Sequence, residues 1–258
     1  MIRLGPYVFT NQDARRTMGN LAGLWASLME GRHSPAASAA ADSLARRSAM
    51  TLGLGDDASL VEIGDRAARL PAASPLLQTL LADAWATLRT ASDTLRHDGQ
   101  LPAGQTATVT QLSRSGGGVP KLAVDAVEVD FGGVVGDIQR IRVHHGRPWQ
   151  ALCLFADEVI EQFQAEGHPI ERGSVGENIT VSGLDWAIVR PGIRIRVGTV
   201  LAHVQAFAEP CKSNAQFFLR GDFNRMNILH GPVSRVYATV LEPGRIVTGD
   251  PIEVEPLM

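Results

Sequence analysis

Cys211 is the residue of this 258-residue chain whose type and neighbours best allow chemistry. It follows Glu209-Pro210 and precedes Lys212, so a thiol stands directly after a rigid residue and beside a cation. A thiolate attacks electrophiles or binds soft metals, and a nearby cation favours the thiolate. The alternative is a small buried side chain at a strand end, which is how most free cysteines behave. The spacing alone leaves both interpretations open.

The second cysteine, Cys153, is predicted to be a core residue because it stands among Leu152, Leu154 and Phe155. The two cysteines are far apart in the chain and in unlike settings, so we expect no structural disulfide, and a reducing cytoplasm suits both as thiols. The sequence has no zinc-type spacing of cysteine and histidine, no P-loop and no recognisable Ser–His–Asp arrangement.

Two glycine-containing turns carry polar side chains. In Gly176-Glu177-Asn178 the glycine permits a backbone conformation that is closed to other residues, and amides exposed there can receive an anion. Taken alone, a simple turn capped by Asn178 is the more common explanation. Gly136-Asp137 has the same two interpretations, since the aspartate can instead accept from the amides of its own turn.

A cluster of basic residues lies near the second turn in sequence. Arginine and lysine suit the binding of a phosphate, whereas one exposed strand face is the plainer explanation. Alternate residues of a strand point the same way, and Arg140, Arg142 and His144 share that parity, which favours the phosphate. The whole cluster is Lys121, Arg140, Arg142, His144, His145 and Arg147.

The composition is that of an ordinary globular protein and argues against a nucleic-acid-binding, membrane-bound or secreted protein. With 45% hydrophobic and 20% charged residues, the chain can bury the core of one large domain or two small ones. The net charge of −3 gives no reason to expect binding to nucleic acid or to a membrane surface. No apolar run is long enough to span a membrane and no secretory signal is visible, so we expect a cytoplasmic protein.

Residues 1–100 are predicted to be a helical domain, because alanine, leucine, arginine and serine dominate and β-branched residues are scarce. We expect a small three- or four-helix bundle. Its apolar stripes either pack on one another, which is the plainer interpretation, or form a partner-binding or homodimer surface. The predicted helices are Thr10–Gly31, which opens with a capping box between Thr10 and Asp13, Pro35–Leu52, Ala58–Leu70 and Ser74–Gly99.

A short linker, GQLPAGQ at 99–105, precedes a change of periodicity. From there on, short apolar runs are separated by glycine and proline turns, with one amphipathic helix predicted at Asp157–Gln164. This pattern predicts a closed or half-closed β-barrel and an α+β fold for the whole chain. The expected strands include one beginning at Ala107, then Ala123–Val129, Ile138–Val143, Leu152–Phe155, Ser234–Leu241 and Ile252–Val254.

A set of short motifs runs through this second half in a fixed order. The motifs are Val119-Pro120-Lys121, Gly133-Val134-Val135-Gly136-Asp137, Gly176-Glu177-Asn178-Ile179-Thr180, Gly183-Leu184, Pro191-Gly192, Val197-Gly198, Glu209-Pro210-Cys211 and Gly249-Asp250-Pro251. The ordered set resembles the MOSC family, named for the C-terminal domain of molybdenum cofactor sulfurases, and is most similar to small stand-alone bacterial members that protect against hydroxylaminopurine. The resemblance covers residues 105–256 and leaves residues 1–100 without a recognised family.

The resemblance implies a mainly antiparallel β-barrel domain at 105–256 that binds a pterin molybdenum cofactor, molybdopterin. It matches Cys211 to the family's cysteine, which is thought either to ligate molybdenum or to carry sulfur. In the reductase members the metal cycles between oxidation states and removes oxygen from N-hydroxylated substrates. A soft thiolate ligand suits such a centre.

The resemblance and the basic cluster together assign a cofactor-binding set. Lys121, Arg140 and His144 are expected at the cofactor's phosphate, and Glu177 and Asn178 at its pterin or at the pocket turn. Lys212 after the cysteine and the helical first half depart from the family's pattern, which leaves the substrate less defined than the cofactor. The full expected set is Lys121, Asp137, Arg140, His144, Gly176, Glu177, Asn178 and Lys212, with Cys211 as the catalytic residue and metal ligand.

These observations leave three functions open. The first, which we favour, is a molybdenum-dependent oxidoreductase that reduces N-hydroxylated or similar small substrates and takes electrons from a donor protein. The second is a sulfur carrier or sulfurtransferase with a persulfide on Cys211. The chain has no pyridoxal-type lysine site, so a sulfur-donor protein dependent on pyridoxal phosphate, rather than bound PLP, would then supply the sulfur. The third is a non-catalytic module that binds the cofactor or a partner.

Overall fold

A computed structural model of the chain describes residues 1–29, 33–97, 106–139 and 146–255. They fall into two compact units, one made mainly of residues 1–101 and the other of residues 102–256. Helices dominate the first unit and a β-barrel the second, which confirms the predicted α+β class. Within the described ranges, no helix combines the length and the apolar character needed to cross a membrane.

The first unit consists, in its described part, of a short hairpin followed by α-helices. The elements are β1 (Ile2–Leu4), β2 (Tyr7–Phe9), α1 (Asn11–Gly19), α2 (Leu21–Met29), α3 (Pro35–Leu52), α4 (Leu60–Ala68) and α5 (Pro75–His97). The hairpin was not predicted, because two strands of three residues are too short to show a periodicity.

Local signals set the helix boundaries. The Thr10 hydroxyl accepts from the Asp13 amide at 3.0 Å, and the Asp13 carboxylate accepts from the Thr10 amide at 3.2 Å, which confirms the predicted capping box. Pro35 opens α3 behind the capping side chain of Ser34, and Gly53 closes it with a φ of +66°.

The single helix predicted for Thr10–Gly31 is wrong, since the chain forms two helices, α1 and α2, that meet at Asn20. The backbone of Asn20 leaves the helical region, with φ −108° and ψ 19°. Helix α4 packs so closely on the end of α1 that a Cβ atom on Gly64 would lie 2.6 Å from the carbonyl oxygen of Met18. The chain therefore changes direction where a helix distant in sequence packs against it.

The apolar stripe of α5 packs into the core of the first unit. Leu77, Leu81 and Leu95 are fully buried, as their spacing predicts, and α5 contacts α1, α2 and α3. The rings of Tyr7 and Phe9 pack edge-on against Trp85, with centroids 5.5 and 5.6 Å away. The hairpin is thereby joined to the bundle.

The second unit contains the remaining strands and α6. The elements are β3 (Thr106–Arg114), β4 (Leu122–Val124), β5 (Ala126–Asp130), β6 (Gly133–Val134), β7 (Leu152–Ala156), α6 (Asp157–Ala165), β8 (Ile179–Ser182), β9 (Arg194–Val197), β10 (Val200–Phe207), β11 (Val236–Glu242), β12 (Gly244–Val247) and β13 (Pro251–Val254). Short 3-10 helices occupy much of the segment from 212 to 230, which was predicted only as a polar loop.

Seven strands close into the predicted barrel, in the order β13-β9-β10-β11-β7-β8-β3, with β3 pairing back onto β13. The pairs are antiparallel except for β7 and β8, which run parallel. Parallel neighbours need a crossover connection, and α6 supplies it. Strand β4 pairs with β3 beside the ring, and β12, β5 and β6 form a separate three-stranded sheet.

Two strand predictions are corrected. The predicted strand Ala123–Val129 is two strands, β4 and β5, that belong to different sheets and are separated at Asp125, whose carbonyl accepts from the Thr248 amide at 2.9 Å. Strand β12, which was not predicted, forms because it pairs with β5. Of the predicted strand Ile138–Val143, residues 138 and 139 are not strand, and 140–143, like the predicted linker 99–105, lie outside the described residues.

Gly64→Ala is expected to destabilise the first unit although alanine is the better helix former. The exchange alone favours a helix interior by about 1 kcal/mol, but the new Cβ atom would lie 2.6 Å from a main-chain oxygen. We expect a net loss of about 1–3 kcal/mol in the free energy of unfolding, measured by urea denaturation. The control Gly116→Ala meets no atom within 4 Å and should change stability by less than about 0.5 kcal/mol. A stabilised Gly64→Ala protein would contradict the close packing.

Candidate functional site

The second unit contains a cavity of about 410 Å³ between the start of β7, the start of β11 and the loops before β8 and after β10. Its size falls in the range of small-molecule sites. Side chains from distant parts of the chain meet there, among them Lys121, Cys153, Asn178, Cys211, Arg235 and Tyr237. The cavity is therefore the candidate site, and its geometry is set by how each of these side chains is held.

Cys211 reaches the cavity from the start of the 3-10 helix Lys212–Phe217, and its side chain is half-buried. Asn214, one turn later, accepts from the Cys211 amide at 3.3 Å, and its side-chain oxygen lies 3.4 Å from the Cys211 Sγ. The Asn214 side chain also donates to the carbonyl of Val175 at 3.3 Å. Asn214 therefore ties the thiol to the glycine-rich turn on the facing wall.

Asn178 is the central connection of the site. Its main-chain amide donates to the Cys153 carbonyl at 2.7 Å, and its side-chain oxygen accepts from the main-chain amide of Cys153 at 3.3 Å. Its side-chain nitrogen donates to Asp137 at 3.0 Å and to the Ser113 carbonyl at 3.3 Å. These bonds join the turn before β8 to β7, to β3 and to the turn after β6, so Asn178 acts as structural support as well as a wall residue.

Lys121 and Asp137 form a buried ion pair with 2.5 Å between Nζ and Oδ2, and their side chains are only 9% and 3% exposed. The Asp137 carboxylate also accepts from the Ser115 amide at 2.8 Å and from Asn178. Because its oxygens are engaged by these donors, Asp137 holds Lys121 at the cavity wall. The ammonium group of Lys121 has three N–H donors, of which the described residues engage one.

The turn from Gly173 to Glu177 is held by a buried carboxyl group. Glu177 is fully buried, and its Oε1 accepts from the Gly173 amide at 2.5 Å. Its other oxygen has no hydrogen-bond partner among the described residues. Burial raises the pKa of Glu177, against the lowering effects of the Gly173 amide and of Arg235 and Lys121. Glu177 therefore supports the turn from behind.

Two glycines of this turn are required by its geometry. Gly173 has a φ of +84°, and a Cβ atom there would lie 2.4 Å from the carbonyl of Lys121, whose amide donates back to Gly173 at 2.8 Å. Gly176 has a φ of +92° and lines the cavity, and a Cβ atom there would lie 3.1 Å from the Val119 side chain. The cavity wall at Gly176 is bare main chain, which a ligand can approach closely.

The predicted site residues are distributed over three groups. Four of them line the cavity, namely Lys121, Gly176, Asn178 and Cys211. Three are not among the described lining residues: Asp137 and Glu177, which support the wall, and Lys212, whose side chain is exposed. Arg140 and His144, like Arg142 and His145 of the basic cluster, lie outside the described residues.

Arg235 and Tyr237 line the cavity but were not predicted as site residues. The available signal was a charged residue at the start of the otherwise apolar run Ser234–Leu241. Arg235 is 4% exposed, and its Nη1 donates to the carbonyl of Val175. Tyr237 is buried, stands opposite Cys153 in the β7–β11 register, and packs edge-on against Trp149 with centroids 6.4 Å apart.

Cys153 is buried, as predicted, and it also lines the cavity. Burial raises its pKa to about 11, although Arg235 and Lys121 act in the opposite direction. Burial likewise raises the pKa of Tyr237. Both groups therefore keep their protons at neutral pH, and Cys153 presents a thiol to the cavity rather than a thiolate.

The charged side chains that line the cavity are cations, and that of Lys121 is paired with Asp137 behind the wall. Lys121 and Arg235 line it, and no aspartate or glutamate is among the lining residues that the structure describes. The described residues also contain no group of three or more His, Cys, Asp or Glu side chains arranged to hold a metal ion. The positive side chains of the wall therefore suit an anionic small molecule.

Comparison with known proteins identifies a domain within the chain. The model of the MOSC domain family matches residues 141–253. The uncharacterized protein YflK of Bacillus subtilis (strain 168) is 30% identical over 122 residues, which make up 46% of this chain and 54% of that protein. This chain thus spans about half the length of that curated relative.

Solved structures to which the chain is similar include YuaD from Bacillus subtilis, 20% identical with a TM-score of 0.47, over 58% of this chain and 95% of that one. YiiM from Geobacillus stearothermophilus is 22% identical with a TM-score of 0.46, over 57% of this chain and 74% of that one. YiiM from Escherichia coli is 23% identical with a TM-score of 0.44, over 57% and 69%.

Asp137→Asn is expected to destabilise the protein strongly, because it leaves the Lys121 ammonium buried without its counter-charge. We expect a loss of about 3–5 kcal/mol in the free energy of unfolding, measured by chemical denaturation. The matched control is Glu128→Gln, which removes one partner of the exposed pair Arg245–Glu128, where both side chains are 63% exposed. It should cost less than about 1 kcal/mol. Equal losses in the free energy of unfolding for the two substitutions would mean that the buried ion pair stabilises the protein no more than the exposed one.

The two thiols are expected to differ in reactivity. At pH 7 to 8 native protein should react with iodoacetamide at Cys211, because that side chain is partly exposed, and not at Cys153, which is 4% exposed and has a pKa raised to about 11. Peptide mass spectrometry of native and urea-unfolded samples measures the labelling of each. Cys211→Ser is the control and should leave no rapidly labelled site. Rapid labelling of Cys153 in the native protein would contradict the burial of this thiol.

Proposed function

We propose that this chain binds a molybdenum cofactor, molybdopterin, in the cavity beside Cys211 and reduces N-hydroxylated or similar small substrates, because the model of the MOSC domain family matches residues 141–253. The observation that carries the proposal is the placement of the partly exposed Cys211 thiol on the wall of a 410 Å³ cavity that two cations also line. A soft sulfur donor and positive charge are the two features that an anionic pterin with a soft metal requires.

The cavity fits such a group in three respects. Its volume suits a small organic molecule. Lys121 and Arg235 offset negative charge, and the described lining residues contribute no carboxylate that would repel it. Gly176 leaves bare main chain where a planar ring can approach closely.

The residues of this chain would hold the cofactor in separate roles. Cys211 would supply the thiolate ligand, with its main chain held by Asn214. Lys121, oriented by Asp137, would bind the phosphate. Asn178 would face the pterin while its hydrogen bonds keep the wall rigid. When bound, the cofactor supplies a metal that changes oxidation state and removes oxygen from the substrate.

Further assignments extend this set. Arg140 and His144 are proposed as additional phosphate ligands, on the basis of their parity with each other and their place in the basic cluster of the sequence. Glu177 acts behind the wall, where it shapes the turn that presents Gly176. Because a reductase needs electrons, a donor protein is part of the proposal.

A sulfur carrier is the second candidate, and the partial exposure of Cys211 favours it because a donor protein must reach the thiol. In that case the Cys211 thiolate attacks the outer sulfur of a persulfide on a partner that depends on pyridoxal phosphate. A sulfur–sulfur bond forms at Cys211, the partner's own sulfur–sulfur bond breaks, and the partner leaves as a thiolate. Cys211 then carries the persulfide.

Protein from a cofactor-competent host is expected to contain molybdenum and pterin in near-stoichiometric amounts. Elemental analysis and the fluorescence of the released pterin measure the two. Cys211→Ser should lose most of the metal, because the soft ligand is removed, whereas Cys153→Ala, the matched loss of a protonated thiol, should retain it.

The outcomes separate the candidate functions. A Cys211→Ser protein that keeps its cofactor and reduces N-hydroxylated bases at the normal rate would remove the ligand role. Absence of metal and pterin from the wild type, together with a mass increase of one sulfur atom on Cys211, would replace the reductase by the sulfur carrier. Bound cofactor without turnover of any N-hydroxylated substrate would indicate a binding module.

A further inference from the structure

Arg235 carries a buried positive charge that forms no ion pair with a carboxylate of the described residues. We propose that Arg235 is the residue that receives an oxyanion of the small molecule bound in the cavity. The inference rests on the proposed function in that both place a ligand in the same cavity. It adds that the ligand is held by an anionic oxygen group at this point of the wall.

The cost of burying a charge is the first argument. The Arg235 side chain is 4% exposed, and charged groups this deeply buried are normally paired. Lys121, the other cation of the wall, has Asp137 at 2.5 Å. Arg235 has only neutral acceptors among the described residues, namely the carbonyl oxygens of Val175 and, at 3.5 Å, of Glu209, and the Cys153 side chain. A counter-charge is thus missing at Arg235 and present at Lys121.

The hydrogen-bonding capacity of Arg235 is the second argument. A guanidinium has five N–H donors in a planar fork. Nη1 donates to Val175 and Nη2 reaches Glu209, while Nε is buried and has no acceptor in the part of the chain that the structure describes. Buried donors are rarely left without acceptors. Because Arg235 lines the cavity, a ligand oxygen there would supply the missing charge.

Neighbouring groups do not replace the missing anion. Glu177 attracts Arg235 electrostatically but forms no hydrogen bond or ion pair with it, since the Glu177 Oε1 accepts from the Gly173 amide instead. Burial also keeps the Cys153 thiol beside Arg235 protonated, with its pKa raised to about 11. Neither group forms an ion pair with Arg235.

Tyr237 adds a donor on the same wall. It stands two residues after Arg235 in extended chain, and residues two apart face the same side; both line the cavity. Burial raises the pKa of Tyr237, so its phenol remains an O–H group. The guanidinium fork of Arg235 suits the oxygens of a phosphate, sulfate or carboxylate group.

Titration of the apo-protein with inorganic phosphate tests the proposal. The full-length chain is produced in a host without the cofactor, and binding is measured by isothermal titration calorimetry at low ionic strength. Arg235→Gln is expected to raise the Kd for phosphate by roughly 10- to 100-fold, because a charge-assisted hydrogen bond is lost. Arg235→Lys should have an intermediate effect, since it keeps the charge and loses the fork.

Arg245→Gln is the matched control, because the Arg245 side chain is 63% exposed and is not among the described lining residues. It should bind phosphate like the wild type. Since Arg235 also supports two carbonyls, circular dichroism and the midpoint of thermal unfolding establish that each variant is folded. If Arg235→Gln does not fold, Arg235→Lys and Tyr237→Phe decide, and each should weaken phosphate binding several-fold.

Unchanged phosphate affinity in the folded Arg235 variants, or no binding by the wild type at millimolar phosphate, would overturn the proposal. Pterin content then separates the two sources of the oxyanion. Loss of pterin from Arg235→Gln made in a competent host assigns the cofactor's phosphate to Arg235, whereas retained pterin with lost phosphate affinity assigns an anionic group of the substrate. Absence of molybdenum from the wild type would refute the proposed function. The phosphate titration of the apo-protein would still test the role of Arg235, because it does not depend on the metal.

Discussion

The hydrogen bonds of Asn178 are the interaction on which the site most depends. One residue pairs through its main chain with β7 and β3, and through its side chain with Cys153, Ser113 and Asp137. Asp137 in turn orients Lys121. A buried amide that satisfies several partners rigidifies its surroundings, because each lost bond would leave a polar group buried without a partner. The walls of the cavity therefore keep their geometry as one connected network rather than as separate loops.

Charge balance divides the cavity into two different parts. At Lys121 the protein supplies its own carboxylate, so the cation is stable before any ligand arrives. At Arg235 the described residues supply carbonyl oxygens and the Cys153 thiol but no ion pair, so part of the stabilisation is left for a ligand. The two thiols are divided in the same way, since Cys153 is buried and protonated while Cys211 is partly exposed. The cavity wall thus combines groups that the protein itself pairs or buries, Lys121 and Cys153, with groups that are proposed to bind a ligand, Arg235 and Cys211.

Much of the helical unit was predictable because its signals are local. The Thr10–Asp13 capping box, Pro35 at the start of α3 and Gly53 at its end each act within one turn of the chain. The break at Asn20 and the division at Asp125 were not predictable, because the first coincides with the packing of α4 on α1 and the second with pairing to a strand more than 100 residues later. Interactions between distant segments leave no periodic trace in either one.

The sequence by itself determined the types of chemistry that this protein has available, and the tertiary structure decided which residues share a site. Cys211 after proline, the glycines of the 173–178 turn and the ordered motifs were readable because they depend on side-chain type and backbone freedom. Burial and neighbours assigned Glu177 and Asp137 to support, brought Cys153 to the cavity wall and left Arg235 without a counter-charge among the described residues. These properties depend on desolvation and on contacts between strands far apart in the chain, and they exist only after the barrel has closed.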